Sequence, residues 1–294
     1  MKTPLFTGCG TAIVTPFTDE TVDYAALRRL LDRQLAAGVD AIVVCGTTGE
    51  AATMSYGERM RTVDAVVSHV AGRVPVIAGT GANSTESAIV LSKDAVRSGV
   101  DALLVVTPFY NKATQRGLVR HYRAIADRVE RPLILYNVPS RTGVSCTADT
   151  YAALAAHPNI MGVKEASGDL ALVQKTREIC PQDFSVWSGN DSETAAIMLH
   201  GGVGVISVAA NVVPEEMTRL TKLCLQGAYR EAGLLLLQLR ELMEALFWEV
   251  NPIPVKTALA SMGLCDGRLR LPLCEMDEGK AAALERVLQK YGLK

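Results

Sequence analysis

A single lysine, Lys164, sits inside Ile160-Met161-Gly162-Val163-Lys164-Glu165-Ala166, a run that otherwise reads as a buried parallel strand. Burial disfavours the ammonium form of an amine and makes it a nucleophile near neutral pH, which is the requirement for Schiff-base chemistry. The bland alternative is a lysine on a solvated edge strand, or one paired with the adjacent Glu165. Other chemistry-capable residues cluster after further strand-like runs: Gly46-Thr47-Thr48-Gly49-Glu50, then Thr107-Pro108-Phe109-Tyr110, Tyr136-Asn137-Val138-Pro139-Ser140-Arg141-Thr142 and Ser188-Gly189-Asn190-Asp191. Two adjacent threonine hydroxyls and the amides of a glycine-flanked turn can hold a small carboxylate. A tyrosine beside the lysine can move protons as a carbinolamine forms and dehydrates. An arginine at the rim can fork onto a second carboxylate. Together these are the parts of a class I aldolase-type site for an α-keto acid. Singly, each has a plainer explanation: a tight turn, core aromatics, a surface ion pair, and for Asp191 a place in the field of a helix N-terminus.

Elements able to bring such residues together follow from periodicity. Strand-like runs are predicted at Thr11–Val14, Ala41–Cys45, Pro75–Ala78, Ala102–Val106, Pro132–Tyr136, Ile160–Ala166, Phe184–Trp187 and Gly204–Val208, each followed by a helical pattern. Asp23 is placed to cap the first helix, Ser55 and Glu58 have capping-box spacing, and Pro214 suits a first helical turn. Eight β-α units predict a (β/α)8 TIM barrel over residues 1–226, with the active site at the carboxyl ends of the strands. From residue 227 to 294 the period is purely helical, a C-terminal appendage whose leucine-rich face either packs on the barrel or helps build an oligomer. A doubly wound sheet is the second choice, but Gly79-Thr80-Gly81-Ala82-Asn83-Ser84 lacks the third glycine of a dinucleotide turn. A phosphate cradle at Gly201-Gly202-Val203-Gly204 is weak, because packing also explains glycines at a strand start.

Composition narrows the class. A formal net charge of −1 over 294 residues offers no footprint for nucleic acid or an anionic membrane surface. Seven cysteines without a C-x-x-C pair read as reduced thiols in a cytoplasmic protein. Four scattered histidines give no metal-ligand spacing, so no metal is expected. Pro4, Thr7 and Gly8 interrupt the first residues before a signal-peptide core could form, and no stretch has the length to span a membrane.

Over nearly the whole chain, from Ala12-Ile13-Val14-Thr15-Pro16 through Asn251-Pro252-Ile253-Pro254-Val255-Lys256 to Leu269-Arg270-Leu271-Pro272, the sequence resembles the dihydrodipicolinate synthase family, within the N-acetylneuraminate lyase superfamily of pyruvate-dependent aldolases. The superfamily is carried by Gly46-Thr47-Thr48-Gly49-Glu50, Tyr136-Asn137-Val138-Pro139 and Gly162-Val163-Lys164-Glu165, and Ser140-Arg141-Thr142-Gly143 narrows it to the synthases. The resemblance implies that Lys164 forms the Schiff base with pyruvate, and that Tyr136 and Thr47 relay protons with Tyr110 supplied by a neighbouring subunit. It further implies that Thr48 holds the pyruvate carboxylate, Gly189 and Ile206 line the pocket through their backbones, and Arg141 binds the carboxylate of L-aspartate 4-semialdehyde. No metal or organic cofactor is implied. The implied assembly is a dimer or a dimer of dimers (a homotetramer), and the implied pathway is diaminopimelate and lysine biosynthesis.

Family members are often inhibited by lysine at a dimer interface, and there the sequence departs from the pattern. Asn83 matches, but Ala51, Tyr56, Arg59, Ser87 and Phe109 stand where inhibited bacterial enzymes carry serine, histidine, histidine, an acid and tyrosine, so inhibition is expected to be weak or absent. Two other functions share the motifs. One is an aldolase for a sialic-acid, 2-keto-3-deoxy-sugar acid or hydroxy-oxo-acid substrate, which would give Arg141 no carboxylate. The other is a pyruvate-binding protein without turnover, which would have no need to keep Lys164, Tyr136 and Tyr110 together.

Overall fold

The computed structural model describes residues 2–294. Eight parallel strands close into a barrel in sequence order: β1 (Gly8–Ala12), β2 (Ala41–Val44), β3 (Val76–Gly79), β4 (Ala102–Val106), β5 (Leu133–Asn137), β6 (Ile160–Glu165), β7 (Ser185–Ser188) and β8 (Gly204–Ser207), with β8 pairing back onto β1. Around them run α1 (Tyr24–Ala36), α2 (Tyr56–Val70), α3 (Thr85–Arg97), α4 (Gln115–Ala126), the one-turn α5 (Pro139–Thr142), α6 (Ala148–Ala155), α7 (Leu170–Ile179), α8 (Thr194–Leu199) and α9 (Pro214–Leu225). Three helices follow: α10 (Tyr229–Ala245), α11 (Ile253–Ser261) and α12 (Glu278–Lys290). The TIM barrel with C-terminal helices is the predicted architecture.

Strand alternation sorts the core into two layers. Ile42, Val44, Val105, Leu135 and Val163 point outward beneath the helices, while Val43, Ile77, Leu104, Ile134 and Ile206 fill the barrel. The barrel floor is closed by Phe6, stacked on the fully buried Trp187 at 5.3 Å between ring centroids, and the indole N–H donates to the Phe6 carbonyl at 3.3 Å. One core layer continues from the barrel into the C-terminal helices through Leu242, Val255, Leu259, Leu284 and Leu288. On α10, Leu235, Leu239 and Leu242 are buried whereas Leu234 and Leu237 are exposed, so part of the leucine-rich surface is core and part is left open.

Local signals hold where they were sharpest. Asp23 accepts from the Ala26 amide at 2.9 Å, Ser55 and Glu58 complete a capping box at the start of α2, and Pro214 is the first residue of α9. β4 has its predicted bounds, and the other strands begin or end one to three residues away, most visibly β1. The first strand is predicted at Thr11–Val14, after Gly8-Cys9-Gly10, yet β1 begins at Gly8, where it closes the barrel against β8. A Cβ on Gly204 would lie 2.1 Å from the Gly8 carbonyl oxygen, so this seam admits no side chain. Gly202, likewise, has Ile197 backbone 2.8 Å from where a Cβ would sit, which accounts for that glycine by packing rather than by phosphate binding. Among the described residues no helix is long and apolar enough to cross a membrane, and all seven cysteines are unpaired.

Candidate active site

The site begins with alternation along β6. Val163 faces the helices and Lys164 the barrel interior, in register with Tyr136 on β5 and Trp187 on β7. Lys164 is only 4% exposed, and its Nζ lies 4.4 Å from the centroid of the Tyr136 ring. Glu165 points the other way. Its carboxylate accepts from the Tyr151 hydroxyl (2.6 Å), the Asn137 amide (3.0 Å) and the Ser167 N–H (2.9 Å), while burial pushes its pKa up. Pairing of Lys164 with Glu165 is therefore excluded by the strand's period, and among the described residues no carboxylate lies within salt-bridge distance of Lys164.

Glycines let neighbouring strands crowd around the lysine. A Cβ on Gly162 would meet the Ser185 carbonyl oxygen at 2.0 Å, and one on Gly189 would meet the Ala166 Cβ at 2.6 Å and the Lys164 Cε at 3.1 Å. The Gly189 N–H donates to the Glu165 carbonyl at 2.7 Å, fixing the end of β7 against β6. Asp191 opens a helical turn, Asp191–Glu193, as expected of a helix N-terminal residue. Its buried carboxylate also crosses to the turn after β8, with one oxygen accepting from the amides of Val208 (3.1 Å) and Ala209 (2.9 Å), which the sequence does not foretell. Burial raises its pKa, opposed by the Ser207 hydroxyl, those two amides and the Lys164 charge, and the other carboxylate oxygen has no protein partner. Ile206, in the same region, is fully buried in the barrel interior.

After β2 the chain makes a strained turn, with Cys45 and Glu50 both at φ 53°. Gly79 allows it: a Cβ there would sit 2.2 Å from the Cys45 carbonyl oxygen. Thr48 is 2% exposed and its hydroxyl oxygen accepts from the Asn251 amide at 3.0 Å, which leaves the Thr48 O–H free to donate. Thr47, Tyr136, Val138, Arg141, Asn251 and Phe109 share the wall of a cavity of about 620 Å³ at the carboxyl ends of the strands. α5 lifts Arg141 to its mouth, where the guanidinium donates to the Asn251 carbonyl at 3.1 Å. Asn251 thus links Thr48 and Arg141, the two groups read from sequence as carboxylate binders. A second cavity, of about 630 Å³, lies against the C-terminal segment at Phe17, Arg268 and Met276 and contains none of these groups.

Tyr110 stands apart from the other candidates in its exposure: it is 89% exposed, at φ 74°. Lys164, Thr48 and Ile206 are buried and Gly189 is half-buried, and like Tyr110 they do not line the cavity of Thr47 and Tyr136. Two features escaped the sequence reading. Asn251 had no role assigned although its motif was noticed, and Lys256 forms a fully buried pair with Glu50 at 2.7 Å. The signal for Lys256 was available, since it too is a lone lysine in an apolar run, Ile253 to Leu259.

A (β/α)8 barrel with an inward-facing lysine against Tyr136, which itself lines a cavity of hydroxyl and guanidinium groups, has the parts a lyase of the class I aldolase type needs. The sequence matches the dihydrodipicolinate synthetase family over residues 5–291. It is 50% identical over 289 residues to the 4-hydroxy-tetrahydrodipicolinate synthase of Geobacter sulfurreducens, covering 98% of this chain and 100% of that one. Identity is 49% over 291 residues to the enzyme of the same name from a Thermoanaerobacter species, covering 99% and 98%. The crystal structure of dihydrodipicolinate synthase from Aquifex aeolicus superposes with a TM-score of 0.97 at 44% identity, covering 98% of this chain and 99% of that one. The chain belongs to the dihydrodipicolinate synthetase family.

Proposed function

We infer that the protein catalyses the 4-hydroxy-tetrahydrodipicolinate synthase reaction, condensing pyruvate with L-aspartate 4-semialdehyde on the route to diaminopimelate and lysine. The observation that carries the reading is Lys164, inward-facing, nearly inaccessible and free of a carboxylate partner, with the Tyr136 ring against its amine. The amine adds to the pyruvate C2 carbonyl, and loss of water gives the iminium. Removal of a C3 proton yields the enamine, whose carbon attacks the aldehyde. The second substrate's own amine then displaces Lys164 as the ring closes, so one water is released overall and the lysine is regenerated.

Tyr136 and Thr47, on the same cavity wall, are assigned the proton relay. Thr48 holds the pyruvate carboxylate, its hydroxyl turned to donate by the bond from Asn251. Gly189 and Ile206 line the keto-acid pocket, and Arg141 forks onto the carboxylate of the aldehyde substrate. Tyr110 completes the relay from a second copy of the chain. Its exposure supports that assignment, and the assembly would be a dimer or a dimer of dimers. In this arrangement residues 1–226 carry the chemistry and residues 227–294 brace it, with no metal or organic cofactor required. Seven unpaired cysteines fit a reducing compartment, and we place the enzyme in the cytoplasm.

The test is a coupled assay with both substrates, dihydrodipicolinate reductase and NADPH, beside Lys164→Ala and beside borohydride reduction with pyruvate alone. Enzyme-dependent NADPH loss and pyruvate trapping that both vanish in a folded Lys164→Ala variant are expected. Trapping without NADPH loss would move the aldehyde specificity to a sugar-derived substrate. Activity retained by Lys164→Ala would refute the nucleophile.

A further inference from the structure

Glu50 and Lys256 form a buried ion pair whose side chains are both 0% exposed, 206 residues apart in sequence. Each charge is fully engaged. The Lys256 ammonium donates to Glu50 Oε1 (2.7 Å) and to the Thr15 carbonyl (3.0 Å) and lies 4.3 Å from the centroid of the Phe17 ring. The other oxygen of Glu50 accepts from the Arg270 N–H at 3.2 Å, and the Thr15 hydroxyl donates to the Gly49 carbonyl at 2.7 Å. Burial lowers the Lys256 pKa, and Glu50 opposes that shift.

Stability alone gives no reason to keep two charges there, since well-packed apolar residues of similar volume are often as stable as a buried pair. What an apolar pair cannot do is hold a directional set of bonds onto a strained backbone. Glu50 is in the left-handed region at φ 53°, a conformation costly for a side chain of its size, and its amide donates to the Thr47 carbonyl at 3.1 Å. The strain therefore lies in the turn that carries Thr47 and Thr48. A third tie from the same C-terminal segment, Asn251 to Thr48, reaches that turn at its middle residue.

We propose that Glu50 and Lys256 are positioning residues that latch the Gly46–Glu50 turn in the shape that binds the pyruvate carboxylate, so that the C-terminal helical region sets the affinity for the keto acid. This rests on the functional reading above. The latch acts on pyruvate and not on the aldehyde substrate, because Arg141 is held by the Asn251 backbone carbonyl and makes no contact with the pair.

The test uses the full-length double variant Glu50→Leu/Lys256→Met, which removes both charges and leaves neither unpaired, and Glu50→Gln, which keeps the side-chain shape and one acceptor. Borohydride trapping of pyruvate is measured against pyruvate concentration, with KM for each substrate, kcat and thermal melting. For the folded double variant, half-saturating pyruvate should rise about tenfold or more while the KM for the aldehyde stays within about threefold, and kcat should fall as well because the same turn carries Thr47. Glu50→Gln should show a smaller rise, and if the double variant does not fold, a rise of about threefold in Glu50→Gln with an unchanged KM for the aldehyde carries the case. A folded double variant with unchanged half-saturation, or unchanged Glu50→Gln where the double does not fold, overturns the proposal. Absence of trapping in the wild type overturns the functional reading and the latch together, whereas trapping with wild-type affinity in the variants overturns the latch alone.

Discussion

Replacing Gly189 with alanine should disable the site while leaving the barrel folded. The new Cβ would sit 2.6 Å from the Ala166 Cβ and 3.1 Å from both the Glu165 carbonyl oxygen and the Lys164 Cε. The lysine stem can rotate away, but the Ala166 methyl and the backbone cannot, and ordinary contact begins near 3.4 Å, so the end of β7 must retreat from β6 by about 0.8 Å. Overpacking of this kind costs about 1–3 kcal/mol, or a melting temperature lower by a few degrees. A displacement near 1 Å at the reacting group costs about a hundredfold in rate, equivalent to about 2.7 kcal/mol of barrier. The expected result is a folded protein with kcat reduced about a hundredfold in the coupled assay and proportionately slower pyruvate trapping. Gly117→Ala is the control, because on α4 its Cβ would meet only the Thr114 hydroxyl at 3.5 Å and the Ala113 methyl at 3.7 Å. A Gly189→Ala enzyme with wild-type kcat and melting temperature would refute the claim that close approach of β7 positions Lys164.

Two further outcomes follow from charges. Arg270 grips Glu58 through two bonds of 2.9 and 2.6 Å and holds its pKa down at about 2. A depressed carboxylate pKa stabilises the fold above the unfolded value near 4.5, and that contribution is lost as pH falls toward 2. Glu58→Gln should therefore have a lower denaturation midpoint than wild type at pH 7, with the gap narrowing as pH falls below about 4.5; a gap constant across that range would contradict the assignment. Lysine should inhibit weakly or not at all: the Tyr56 hydroxyl is already bonded to Asp94, Arg59 donates to the Gly79 carbonyl, and Ser87 and Phe109 offer no carboxylate or phenol to an effector. A half-inhibitory lysine concentration in the micromolar to low-millimolar range would show that reasoning to be wrong.

How far the fold could be read in advance depended on whether a signal was local. The capping box at Ser55 and Glu58 uses residues three apart, and the strands are apolar runs that parallel burial requires. The apolar pattern begins only at Thr11, whereas β1 begins at Gly8, because closure of the barrel brings Gly8 against Gly204, a contact between distant residues. Asp191 carries both kinds of signal: its place at the start of a helical turn is local and legible, whereas its bonds to the Val208 and Ala209 amides cross to the far side of β8 and are not.

Lys164 and Lys256 show why the site was only partly legible. Each is a lone lysine in an apolar run and each is buried, so the argument from sequence that selects one selects the other. What separates them is the company they keep after folding. Lys256 meets a carboxylate from 206 residues away and is neutralised as a pair, while Lys164 meets an aromatic face and no carboxylate at salt-bridge distance. A buried ammonium with a bonded counter-charge is held in place, whereas a lysine without one is not tied by an ion pair and can turn its nitrogen to a bound carbonyl. The difference resides in Glu50, placed by its left-handed backbone and its partners toward the C-terminal helix and not toward the barrel centre. The same residue that ties the carboxylate-binding turn to the C-terminal region therefore keeps its charge paired with the structural lysine and leaves the reactive one unpaired.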